Sequence, residues 1–328
     1  DAYTKEDGSI YTMPVKFGIP MIEGNKDIIA GITDLTTEAD AAESQKDSYG
    51  KLQFFSDFSI APSYLIQGTI DNSIPAWMNE DGTLNENAVK EYLEQVNRIW
   101  QTQKNAIEET KKAYQMGDDW ADSDHSGYMD ISGSVTSLLA KVDTVAAGGL
   151  LSPEGLVSLD SARKVDPDLD YKLLNGQSEN CFYPRSAVGV SAKASEKEAA
   201  EKFVKFLFEE ESQRASNTEG LAVNSKVYED MAYWKMGKSS GDTIGSIGAS
   251  YDTGDGNIKQ IEMDEIIPED EAIQNIMDLG KTLTVPAKSN QIIRNAVTES
   301  GEKYLNGETG LDDAVKEIMQ EVNLYLSE

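Results

Sequence analysis

TVAAGGLLSPEGLVSLDSARKVDPDLDYKLLNG, residues 144–176, decides the fold class. Thr144–Ala147 reads as a short buried strand. Gly148 and Gly149 follow, and then Ser152 stands immediately before Pro153. A serine at the N-cap and a proline at the first helical position are a strong helix start, because the hydroxyl accepts a free backbone N–H and proline has none to lose. An apolar-periodic helix runs on from there, and Tyr171–Leu174 reads as a second strand. Strand, helix and strand with short connections predict an α/β architecture with a largely parallel sheet. Upstream, residues 127–143 add a strand and a short helix to the same unit.

Further elements extend this pattern in both directions. Residues 186–211 predict a strand, a capping box at Ser195 and Glu198, and an amphipathic helix. Between Asn85, a candidate N-cap, and Gly117, a candidate stop, Val89, Leu93, Val96 and Trp100 repeat on one helical face. Residues 51–68 are apolar and aromatic, in keeping with a helix or a buried loop. Near the start, Ile10–Val15 reads as a strand and the following residues as a loop. The last third predicts three helices. The final one opens at Thr309 and Asp312 and carries Leu311, Val315, Ile318 and Val322 on one side. Residues 237–260 are rich in Gly, Ser and Asp and read as a long mobile loop.

Composition narrows the function classes. The 328 residues suit two lobes better than one small core. Lys and Arg total 29 against 58 Asp and Glu, a formal charge of −29. A phosphate backbone would be repelled, which argues against nucleic acid as a partner. No run of 18 apolar residues could span a bilayer, and residues 1–20 lack the pattern of a secretory signal. The single His125 and single Cys181 give little material for a nucleophilic relay. Cys181 reads as a small, partly buried residue. YDTGDGN (251–257) has the flavour of a calcium loop through Asp252 and Asp255. It lacks the alternating ligands and distal Glu of an EF-hand, so neither a metal nor another cofactor is expected.

Four pieces in order carry a family resemblance: GSIYTMPVKFGIP (8–20), TVAAGGLLSPEGL (144–156), GVSAKASEKEAAEKFVKFLFEEESQ (189–213) with the downstream GLAVNSK (220–226), and YLNGETGLDDAVKEIMQEVNLYL (304–326). Together they resemble the extracellular solute-binding proteins of bacterial ABC importers, specifically the carbohydrate-type, maltose-binding-protein-like family. The resemblance implies a periplasmic-binding-protein-like two-lobe fold of type II, with the second lobe nearly complete and the first partial, as in an N-terminally truncated chain. Its implied divisions are a first-lobe crossing strand at 1–16, the second lobe at 17–183, a first-lobe return at 187–226, and C-terminal helices at 229–328 mostly on the second lobe. The connector after Gly220 would lead the chain back between lobes.

The resemblance further implies a binding protein rather than an enzyme. It would capture a small solute, a mono- or oligosaccharide, by hinge closure and deliver it to a membrane ABC permease, from a lipid-anchored position outside the cytoplasm. Sugar sites set aromatic faces against the rings and use polar groups for the hydroxyls. On the family's pattern the corresponding positions are Phe17, Tyr64, the loop Gly148, Gly149 and Leu150 through Ser152, Tyr183 beside Phe182, and Gln291 with Arg294. Arg294 stands where the family often places an aromatic, and would suit an acidic sugar or a surface ion pair. Trp100 reads as helix-face core and Trp120 as exposed. Two other functions fit the composition: a surface module that binds a glycan or protein without transport, and a glycan-active hydrolase, for which no short signature singles out a carboxylate pair.

Overall fold

The computed structural model describes residues 3, 7–45, 61–114, 130–215, 220–252, 257–288 and 290–326. Trp120, His125, Gly117 and Asp255 lie outside the described residues. The architecture is organised by one strand, β1 (Met13–Asn25), which is hydrogen-bonded along both edges. One edge carries β2 (Val145–Leu150) and then β5 (Leu221–Ala222). The other carries β3 (Leu169–Leu173) and then β4 (Cys181–Val188). The registers establish this: Met21 faces both Gly148 and Leu173, while Lys16 faces both Arg185 and Ala222. Thus β1 belongs to two three-stranded units in succession. Next to β4, the short β8 (Val285–Pro286) adds the one parallel pairing among the named strands.

This corrects the expectation of a largely parallel sheet. The strand–helix–strand unit is present, since β2 and β3 both run antiparallel to β1 and hence parallel to each other. They do not pair, because β1 is inserted between them. The crossover helix, α4 (Pro153–Val165), starts as predicted, with the Ser152 hydroxyl accepting from Gly155 N at 3.1 Å.

The expected strand at Ile10–Val15 also starts and ends too early. Gly18 and Pro20 suggested a loop, yet both sit inside β1. Pro20 is tolerated for a specific reason. The N and O of a strand residue point to the same edge, and the carbonyl of Pro20 accepts from Leu174 N at 3.0 Å. Its nitrogen therefore faces the edge where the chain leaves β3 and has not yet entered β4. No ladder bond is lost there.

Helices cover both faces. On one face Ile22, Val145 and Ala147 join the core beneath α1 (Leu35–Gln45), α2 (Pro62–Ile70), α3 (Glu86–Tyr114), α7 (Gln291–Leu305) and α8 (Leu311–Leu326). On the other, Ile19, Met21 and Ala146 join the core beneath α4, the short helix Val135–Ala140, and α6 (Asp270–Thr282). Val89, Leu93 and Val96 of α3 are fully buried and Trp100 nearly so, as the periodicity predicts. Burying each contributes about 1.5–3 kcal/mol. The Asn85 side chain caps α3 by accepting from Ala88 N at 3.2 Å. Trp77 and Trp234 are core residues too, and Cys181 is a fully buried free thiol.

Two further expectations are overturned. Residues 237–260 form no long loop: β6 (Thr243–Asp252) and β7 (Ile258–Ile266) pair antiparallel as a hairpin. Residues 253–256 of the calcium-like YDTGDGN lie outside the described residues. The hairpin's inner face, including Ile247, Ile261 and Met263, packs on the core. Lys259 caps the helix Val135–Ala140 by donating to the carbonyls of Leu139 and Ala140. The capping box at Ser195 does not form either. Helix α5 (Lys197–Leu207) begins at an N-cap Glu196 without a side-chain cap bond. This helix is amphipathic, yet none of its residues is buried, and Phe203 and Phe206 are 61% and 50% exposed. Among the described residues no helix is long and apolar enough to cross a membrane.

Candidate functional site

Most of the residues singled out by sequence gather around the middle of β1, on its two faces. On the first face, Gly18 and Gly149 leave a shallow strip. A Cβ built on Gly149 would come within 3.3 Å of the Tyr183 ring and 2.9 Å of Leu151, and one on Gly18 within 3.5 Å of the Tyr183 Cβ. The two glycines therefore let Tyr183 and Leu151 close down on the strands. Burial pushes the Tyr183 hydroxyl well above its ordinary pKa, and the charges of Asp71, Cys181 and Glu38 add to the effect. Tyr183 thus stays a neutral donor at any ordinary pH.

Asp71 links this face to α7. Arg294 is only 6% exposed and forms a buried ion pair with Asp71. The Arg294 guanidinium is therefore held inside the protein, in contrast to a surface ion pair. Tyr92 completes a polar seam with Thr69, at 2.8 Å between hydroxyls. Tyr64 is buried on α2, whereas Gln291 lies exposed at the start of α7 and donates to Asn295 at 2.7 Å.

On the opposite face, Phe17 meets Phe182 edge-on at 6.3 Å between ring centroids and Tyr228 at 5.4 Å. The three rings line a pocket of about 280 Å³ that Pro14, Val223 and Leu283 help to enclose. Gly148 shares this face through its pairing with Met21, and Leu150 is fully buried opposite Ile19. Phe17, Gly148, Gly149, Leu150 and Tyr183 are thereby brought together within a few residues of β1. Tyr64, Gln291 and Arg294 are not, although Asp71 connects Arg294 to Tyr183 electrostatically.

Sequence reasoning missed Tyr228, which sits in a stretch read only as a connector. That stretch is short β5, followed by a helical turn at Ser225–Tyr228. Gly220 makes the approach possible: its φ is +149°, and a Cβ there would lie 2.7 Å from that of Lys16 and 2.9 Å from the Phe17 carbonyl. Gln213 fastens the junction. Its amide nitrogen donates to the carbonyls of Val15 and Leu207, and its Oε1 accepts from Val223 N at 2.8 Å. Lys16 donates to the Gln213 carbonyl at 2.6 Å, and burial lowers the ammonium pKa. Among the described residues no cluster of His, Cys, Asp and Glu has the makings of a metal site.

Comparison with known proteins bears on this arrangement. The fold aligns with that of maltose-bound MalE3 from T. maritima over 98% of this chain and 74% of that one, at TM-score 0.51 and 13% identity. It aligns comparably with a cyclic alpha-maltosyl-1,6-maltose binding protein from Arthrobacter globiformis, over 99% and 75% of the two chains, at TM-score 0.50 and 14% identity. A protein from Caldanaerobius polysaccharolyticus, described in connection with xylan utilization, aligns over 98% and 74% at TM-score 0.52 and 13% identity. These likenesses identify the fold as the periplasmic-binding-protein type. A search of curated protein sequences returned no match. The family model of bacterial extracellular solute-binding proteins matches residues 1–214, and the chain belongs to that family.

Proposed function

We propose that this chain captures a small carbohydrate, a mono- or oligosaccharide, beside the middle of β1 and delivers it to an ABC permease at the outer side of the membrane, where a lipid anchor would hold it. The observation that carries the reading is the convergence of Phe17, Phe182 and Tyr228 on one pocket at the point where β1 passes from one three-stranded unit to the next. Flat apolar rings suit sugar faces. Capture of a solute needs no covalent chemistry, only contacts that hold the ligand.

In this reading the two units of β1 belong to two lobes. Residues 1–16 and 187–226 fall to the first, and residues 17–183 and most of 229–328 to the second. A ligand touching both would favour the closed arrangement in proportion to its extra contacts there. The exposed Phe203 and Phe206 on α5 suit a first lobe that has further packing to make. Replacing Phe17 with Ala should weaken binding of the preferred sugar by about 1–2 kcal/mol, roughly tenfold, without loss of fold. Unchanged affinity in titration calorimetry would remove the pocket from the reading.

A further inference from the structure

The chain carries a formal charge of −29, yet one hollow in it is lined by two cations and a single carboxylate. It is a pocket of about 340 Å³, large enough for a small solute, bounded by β1, the start of α4, Gly220 just before β5, and the helical turn Met231–Trp234. Its cations are Lys16 and Arg214, and its carboxylate is Glu154. Lys16 and Phe17 are consecutive on β1 and so point to opposite faces of the strand, which separates this pocket from the aromatic one.

Lys16 is the unusual member. It is only 4% exposed. An ammonium has three N–H groups to place. One goes to the Gln213 carbonyl at 2.6 Å, and among the described residues Lys16 makes no other hydrogen bond and no ion pair. Burial lowers its pKa, and no neighbouring carboxylate offsets the effect. Charges inside proteins are ordinarily paired, because taking an ion out of water is costly. A buried cation that borders a hollow and has no counter-ion points to an anion supplied from outside.

Two further donors are tied to the same spot. Ala222 stands opposite Lys16 in the β1–β5 register, and the Tyr233 hydroxyl accepts from Ala222 N at 3.3 Å. That hydroxyl has its own proton left to donate, and burial keeps the proton on by raising the pKa to about 12. The Gln213 carbonyl that holds Lys16 leads directly into Arg214, which is paired with Asp230 at 2.7 Å through one of its five N–H-bearing positions. Glu154 is exposed on the first turn of α4. Pro153 and Met236 add apolar surface.

We propose that this pocket is a second binding site, for the carboxylate of a small organic acid held by Lys16 and the Tyr233 hydroxyl, with Arg214 beside them and the carbon skeleton against Pro153 and Met236. The carboxylate gives the buried ammonium its missing counter-ion and charge-assisted hydrogen bonds. A neutral sugar supplies neither. This site does not rest on the carbohydrate reading of the aromatic pocket.

The test is titration calorimetry of the whole chain at low ionic strength with glucuronate and succinate, a sugar acid and a plain dicarboxylate, against glucose as the neutral control. Four proteins are compared: the parent, Lys16→Met, the double variant Arg214→Gln/Tyr233→Phe, and Lys202→Met, which removes an exposed lysine from α5. The expected result is saturable binding of at least one acid by the parent and Lys202→Met, weakened about thirtyfold or more in Lys16→Met and about tenfold in the double variant. Binding of glucuronate alone assigns the site to sugar acids, and binding of both assigns it to carboxylates at large. If thermal unfolding shows that Lys16→Met does not fold, the double variant decides. Four results would overturn the proposal: no saturable binding of either acid at about 10 mM, full affinity in the deciding variant, equal loss in Lys202→Met, or glucose binding as tight as that of the acids and lost with Lys16.

Discussion

Glu38 offers the sharpest test of the packing around α1. It is 1% exposed, with Oε1 lacking any hydrogen-bond partner. Burial first, and the nearby charge of Asp34 second, raise its pKa from 4.5 to about 8. The native protein therefore keeps this carboxyl neutral well above the pH at which the unfolded chain ionises it. Below about pH 4.5 both states hold the proton, and the group adds no pH dependence. As pH rises toward 8 the unfolded state alone is stabilised by ionisation, so stability falls by about 1.4 kcal/mol per pH unit. Over the full window of about 3.5 units the loss is on the order of 5 kcal/mol. Glu38→Gln removes this term while nearly preserving shape. Urea unfolding of parent and variant at several pH values isolates it, because the −29 charge and the similarly buried Glu23 act in both proteins. The stability of the parent relative to Glu38→Gln should drop by about 3 kcal/mol between pH 5 and 7. Parallel profiles would refute a neutral, buried Glu38.

Other perturbations probe other parts of the fold. Arg294→Met removes the partner of a buried carboxylate and should cost about 3–5 kcal/mol in urea unfolding, much of it recovered when Asp71→Leu is added, since an apolar pair replaces an ionic one. Gln213→Ala breaks the bonds to Val15, Leu207 and Val223 together and should cost about 2–3 kcal/mol by the same assay. Gly220→Ala should cost about 1–3 kcal/mol, from its positive φ and from contact with Lys16 and the Phe17 carbonyl. By contrast, Phe203→Asp with Phe206→Asp should leave stability within about 0.5 kcal/mol, because both rings face solvent.

What could be read directly from sequence were the elements with strong local signals. Ser152 and Pro153 fixed the start of α4, and Asn85 with the Val89, Leu93 and Val96 stripe fixed that of α3. These depend on contacts a few residues apart. The length of β1 was hidden because its limits depend on strands that arrive more than a hundred residues later, and because Gly18 and Pro20 imitate a loop. The order of the sheet was hidden for the same reason, since nothing local says that β1 separates β2 from β3. The β6–β7 hairpin reads as a loop because β6 is rich in Gly and Ser, while the apolar contacts come from Ile247 and from Ile261 and Met263 on the partner strand. Of the candidate residues, Phe17, Gly149 and Tyr183 are singled out by the family resemblance, and the structure brings them close together on β1. Tyr228, Asp71 and Gln213 are not singled out, for their roles arise only from long-range packing, and Ser195 had an ideal capping pattern that the chain does not use.

The central claim is capture of a carbohydrate at the middle of β1. Its most direct test is thermal unfolding of the protein with mono- and oligosaccharides, sugar acids and short peptides, each run on the parent and on Phe17→Ala. A ligand at a hundred times its dissociation constant adds about 2.7 kcal/mol of stability. The account predicts that a carbohydrate raises the unfolding midpoint of the parent and that Phe17→Ala loses most of the rise. A rise with peptides alone, or a carbohydrate-induced rise that Phe17→Ala keeps in full, would contradict it.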